Sequence, residues 1–189
     1  MNRESRRELF VFFLLLAFGV AGRSLDHAWN FTPLTAITAL GAFYFRSWLP
    51  AMLLPSAVLV VSDFFLPSHD SWPVHVSVHA MAIVPLLLAR AARGADGWRR
   101  AAYWGMCGFV PATAFFLVTN FAVWASKSLY APTWAGLLDS YVHGLPFYRT
   151  MLAGDICFLS LITACLAAAQ VLQPAVAMER EGAHDSRLS

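Results

Sequence analysis

Six apolar runs, at about residues 8–22, 33–45, 49–66, 73–89, 101–125 and 146–172, leave only short polar stretches between them. A membrane-crossing helix needs about 20 mostly apolar residues, within a practical range of about 17–25. The last four runs reach that length. The first two are short, so they must tilt, borrow flanking residues or thin the bilayer locally. Helices satisfy their own backbone in lipid, and no run shows the alternation of a membrane barrel strand. The pattern predicts an all-α membrane protein with six transmembrane helices in a compact bundle.

Composition supports lipid as part of the solvent. Only 13% of the 189 residues are charged and 59% are hydrophobic, against about 25% charged in an ordinary soluble domain. The length suits a single six-helix domain over residues 1–177, and the polar stretch 178–189 reads as a loose cytoplasmic tail. Arg6-Arg7 before Leu9–Ala21 resembles an export signal, but no A-x-A site follows and the rest of the chain is itself polytopic. The segment is therefore read as a retained first helix. Cys107, Cys157 and Cys165 all sit in apolar runs without CxxC spacing, which suits packing better than disulfides or metal.

Positive charges set the orientation. Counting alternate sides, Arg3, Arg6, Arg7, Arg46, Arg90, Arg93, Arg99, Arg100, Arg180 and Arg187 fall on one side. Only Arg23, Lys127 and Arg149 fall on the other. The positive-inside rule puts the first group, and both termini, in the cytoplasm. The expected location is the bacterial cytoplasmic (inner) membrane, crossed several times.

With that orientation the unusual polar residues gather toward the outer face. Asp63 lies near the outer end of the third run, Asn120 near that of the fifth, and Arg149 and Asp155 in the outer half of the sixth. An Asp near a helix centre costs about 2.5–3.5 kcal/mol on insertion scales, so it needs a partner. Arg23 and Arg149 are the nearest cations by level, and Asp63 and Asp155 are expected to pair with them directly or through Asn120. Such a network either fixes helix register or floors a ligand cavity; intramembrane charges favour the second reading. The long outer segment 126–145 would roof that cavity, with 133–142 forming a short amphipathic helix across the surface.

His75 and His79 share one helix face at i,i+4, close to His69, with His27 and His143 at a similar level. A histidine pair without a third ligand more often packs than binds metal, so neither metal nor cofactor is assigned. Ala17 and Ala21 form a small-xxx-small step at which another helix can approach closely. No serine elbow or Walker sequence is present, which points away from an enzyme and from ATP use by this chain. Nothing in the chain suggests nucleic acid as a partner.

Several blocks carry a resemblance. They are Asn30-Phe31-Thr32-Pro33-Leu34-Thr35-Ala36, Ser62-Asp63, Thr119-Asn120-Phe121-Ala122-Val123-Trp124, and Tyr141–Asp155 (YVHGLPFYRTMLAGD). From about Arg23 to Cys165 the chain resembles a bacterial membrane family of unknown function, DUF6580. That family is similar to the S components, the substrate-binding subunits of energy-coupling-factor (ECF) vitamin transporters. His143-Gly144 and Tyr148 depart from the expected pattern, a difference that would alter ligand preference without disturbing the fold.

The resemblance implies an S-component-like bundle that binds one vitamin-like small molecule near the outer face for uptake. It also implies docking on an ATP-driven energising module through Ala17 and Ala21. Cobalamin is one ligand it suggests, with His75 or His79 toward the cobalt. The substrate-binding set expected is Asn30, Asp63, His75, His79, Asn120, Trp124, Tyr141, Arg149 and Asp155. The alternatives are a structural or assembly subunit without ligand, and an ion-coupled carrier using Asp63 and Asp155 as relays. The carrier lacks the internal repeat that such proteins usually show.

Overall fold

The computed structural model describes residues 3–24, 30–66, 71–126 and 129–185. The described residues contain no strand, only α1 (Arg3–Ser24), α2 (Leu34–Tyr44), α3 (Trp48–Asp63), α4 (Trp72–Met81), α5 (Ile83–Arg93), α6 (Gly97–Cys107), α7 (Val110–Ala125) and α8 (Trp134–Asp185). α4 and α5 join as Trp72–Arg93, and α6 and α7 join as Gly97–Ala125. Six helical rods therefore follow the six apolar runs in order.

Proline chemistry places both interruptions. A proline removes one helical N–H and its ring clashes with the carbonyl four residues earlier. Counting back from Pro85 gives Met81, where α4 ends; counting back from Pro111 gives Cys107, where α6 ends. Pro55 and Pro146 lie inside α3 and α8 without ending them.

Three rods are long and apolar enough to cross a membrane: Trp72–Arg93, Gly97–Ala125 and Trp134–Cys165. α2 and α3 are shorter apolar helices of 11 and 16 residues. In α1 the apolar stretch from Leu9 to Gly22 is bracketed by Arg6, Arg7 and Glu8 before it and Arg23 after it.

The shortness of α2 has a packing explanation. Thr35 through Ala39, Gly41 and Ala42 are all buried, so the helix is surrounded by protein on nearly every side. It packs against α1, α3, α5, α6 and α8. Small residues permit this approach: a methyl at Gly41 would stand 2.5 Å from Leu54, and one at Gly19 of α1 would stand 2.7 Å from Val58. Leu54, Val58, Ile37, Phe45 and Leu86 complete the core around it.

Arginines close the opposite end of the bundle. Arg93 donates to the Phe45 carbonyl at 2.6 Å, and Arg90 donates to the carbonyls of Arg46 and Ser47 at 3.0 and 2.6 Å. The end of α5 thus supplies donors to the α2–α3 turn, whose carbonyls have left helical geometry. Arg90 also lies 4.6 Å above the Trp48 ring.

One expected element does not form separately. Residues 134–142 are the first turns of α8 and run without a break into the last rod. They are held along α7, because Ser140 donates to the Asn120 carbonyl at 2.9 Å and Tyr141 to the Leu117 carbonyl at 3.0 Å. α8 also remains helical through 178–185, where the sequence suggests a loose tail; residues 186–189 lie outside the described residues.

Candidate functional site

Alternating helix directions bring the end of α1, the end of α3, the start of α4 and the end of α7 to the same end of the bundle. Two polar centres form there.

The first centre joins α1, α3 and α4. Arg23, in the last turn of α1, lies 3.4 Å from Asp63 (Nη2 to Oδ1), the final residue of α3. Both side chains are mostly shielded, at 13% and 21% exposure, so the pair is held more firmly than a surface one. His75 and His79 of α4 complete the group: ligand atoms from Asp63, His75 and His79 all lie within 4.8 Å of one another. Their rings are 4.4 Å apart, and Trp72 stacks on His75 at 5.7 Å. His79 Nδ1 sits 3.0 Å from the His75 carbonyl. A carbonyl can only accept, so Nδ1 carries a proton, and in the neutral ring Nε2 presents its lone pair.

The second centre is a cavity of about 120 Å³ where α7 and α8 meet Asn30. Phe115, Phe116, Thr119 and Asn120 line it from α7, and Gly144, Phe147, Tyr148 and Met151 from α8. Asn30 has φ 62°, a left-handed conformation that asparagine tolerates better than most residues. The Asn120 amide nitrogen donates to the Phe116 carbonyl at 2.8 Å, and the amide lies flat against Gly144. A methyl at Gly144 would stand 2.4 Å from Asn120 Oδ1, so only glycine leaves that amide its place. Phe116 and Tyr148 rings lie 4.9 Å apart, and the Tyr148 hydroxyl meets Thr113 Oγ1 at 3.1 Å. The walls are aromatic and the polar groups are amides and hydroxyls, a surface suited to a compact ring-bearing molecule with hydrogen-bonding edges.

The remaining expected site residues have other neighbours. Asp155 is buried in α8 with the Thr35 hydroxyl of α2 as its hydrogen-bond partner. Arg149 is exposed, and no ion pair between the two occurs among the described residues. The expected Asp155–Arg149 pairing is corrected accordingly: six residues along a helix turn by about 240° net, which points the two side chains apart. The expected pairing of Asp63 with Arg23 does form. Trp124 donates from Nε1 to the Ala131 carbonyl at 3.0 Å and holds the chain after α7, while Tyr141 ties α8 to α7. Ala17 and Ala21 are exposed on α1, whereas Gly19 and Gly22 of the same helix face Val58 and Pro33. His27 and His69 lie outside the described residues.

The family model described as "Family of unknown function (DUF6580)" matches residues 3–176. The chain belongs to this family. The match extends beyond 23–165 at both ends and takes in the whole of α1. No curated protein matches the chain, and no solved structure does. For this DUF6580 protein the site therefore has to be read from its own geometry. Sequence reasoning reached two of the cavity-lining residues, Asn30 and Asn120. Gly144 and Tyr148 stand out in the sequence only as departures that bear on ligand preference, and Thr119 only beside Asn120, so none is in the expected set; nor are the apolar Phe115, Phe116, Phe147 and Met151. Their signal was the shared face of residues 144, 147, 148 and 151 at helical spacing, which becomes a cavity wall only once α8 is laid along α7.

Proposed function

We propose that this DUF6580 protein is a small-molecule-binding protein of the bacterial inner membrane, serving uptake of a vitamin-like compound. In this reading six helices cross the membrane, both termini are cytoplasmic, and the cavity between α7 and α8 opens toward the outer face. The observation that carries it is the cavity itself, with the amides of Asn30 and Asn120 set in aromatic walls. Arg46, Arg90 and Arg93 gather at the opposite end, which supports that end as the cytoplasmic one. At about 120 Å³ the cavity is smaller than the roughly 300 Å³ of pockets for drug-sized ligands, which favours a compact single-ring compound over a corrinoid. The exposed Ala17–Ala21 step is the proposed contact for an energising module, in the manner of S components.

A structural subunit is the second reading. It is favoured by the buried Asp155–Thr35 contact, which links α8 to α2 without facing the cavity.

Native mass spectrometry of the gently extracted protein, alone and with a panel of water-soluble vitamins, separates the two. The binding reading expects one small molecule per chain, lost in Asn120→Leu while the variant still elutes as a folded species. A protein that stays empty across the panel, or an Asn120→Leu variant that binds normally, would overturn it.

A further inference from the structure

We propose that Asp63, His75 and His79 form a binding site for a divalent transition-metal ion of the zinc class. The site is separate from the α7–α8 cavity and does not depend on what that cavity holds.

The ligand set is borderline in softness, two imidazoles and one carboxylate, which is the set that suits Zn²⁺, Co²⁺ and Ni²⁺. Sequence spacing supplied only the two histidines; the end of α3 brings the carboxylate. Ligand atoms around a tetrahedral ion at about 2.0–2.2 Å stand roughly 3.3–3.5 Å from one another. Those of this cluster lie within 4.8 Å of one another, at most about 1.5 Å wider than that shell.

The hydrogen-bond pattern leaves a buried carboxylate oxygen of the cluster without a donor. The His75 carbonyl accepts from His79 Nδ1, which leaves Nε2 of the neutral ring for a metal, and a metal-bound histidine commonly donates its other ring N–H to a backbone carbonyl in this way. Asp63 meets Arg23 through Oδ1, while its Oδ2 is buried without a hydrogen-bond partner. A buried carboxylate oxygen without a donor is costly, and a cation bound in the cluster would satisfy it. Arg23 does not take that place, since it holds the other oxygen; its buried Nη1 also has no hydrogen-bond partner. Three ligands among the described residues leave a fourth position of the tetrahedron to be filled, and the Arg23 guanidinium beside the carboxylate would offset the charge of an anion there.

The test uses the full chain, purified in detergent with any affinity tag removed. Metal content is measured after equilibrium dialysis against buffered Zn²⁺, and the visible spectrum is recorded with Co²⁺. The expected result is one equivalent per chain and an intense Co²⁺ ligand-field spectrum. His75→Gln and His79→Gln should each weaken binding by at least about tenfold, while His143→Gln, at an exposed position, leaves it unchanged. Asp63→Asn should behave like the histidine variants; if it unfolds for want of its bond to Arg23, the two histidine variants decide. Substoichiometric metal, or binding that survives both histidine variants, overturns the site. Because the readout is metal and not the cavity ligand, an empty cavity with one bound metal would sink only the uptake reading, and a filled cavity without metal only this one.

Discussion

Asn30 shows how one residue can serve both fold and site. Its φ of 62° is accessible to glycine at no steric cost and to β-branched residues only with strain of about 1–2 kcal/mol. Asn30→Gly should therefore keep its thermal unfolding midpoint in detergent, whereas Asn30→Val should lose about 1–2 kcal/mol of stability. Both remove the amide from the cavity wall, and both should bind the cavity ligand more weakly. Equal stability in the two variants would show that the turn tolerates other conformations. Asn120 stands out in the sequence as a polar residue inside an apolar run, and Asn30 through the family block that it opens. Gly144 stands out only as a departure from the family pattern, since a glycine's importance lies in what approaches it, and here that is an amide 24 residues earlier in the chain.

At the scale of elements, the arginines of α5 carry more than topology. Positive-inside counting needs only their side of the membrane, but Arg93 also donates to the buried carbonyl of Phe45 at 2.6 Å. Arg93→Ala should destabilise the bundle by about 1.5–3 kcal/mol, the range for hydrogen bonds from charged groups, as measured by denaturant unfolding in detergent. A change near zero would mean water takes over that carbonyl. Arg93→Lys should recover only part of the loss, since an ammonium lacks the reach and planar fork of guanidinium. The same scale explains the runs that looked too short. A helix such as α2, walled in by its neighbours, need not match the bilayer as a lipid-facing one must, and its alanines and Gly41 record that close packing. The prolines at 85 and 111 were visible in the sequence, while their consequence, two rods broken four residues upstream, depends on local sterics.

Across the whole molecule, the alternating rods sort charge by end. Arg46, Arg90 and Arg93 meet at one end, and Asp63, His75 and Arg23 meet at the other. In a background without native cysteines, Leu129→Cys should react with a membrane-impermeant thiol reagent on intact cells, and Arg46→Cys only after permeabilisation. The opposite pattern would invert the proposed orientation, and labelling of both in intact cells would argue against a crossing between them.

Helix type, helix order and a membrane-compatible surface were settled by the sequence, because apolar run length and backbone hydrogen bonding in lipid are local constraints that each segment meets alone. The family was also legible there, in the blocks around Asn30, Asp63, Asn120 and Tyr141–Asp155. Which polar residues meet was decided only by the tertiary structure. Level along the membrane normal said that Asp63 and Asp155 both needed partners, but not which way each side chain faced around its helix. Rotation about the axis sent Asp155 to Thr35 and left Arg149 outside. It also joined Asp63 to the two histidines, so that an i,i+4 pair lacking a third ligand in the sequence has one in the fold.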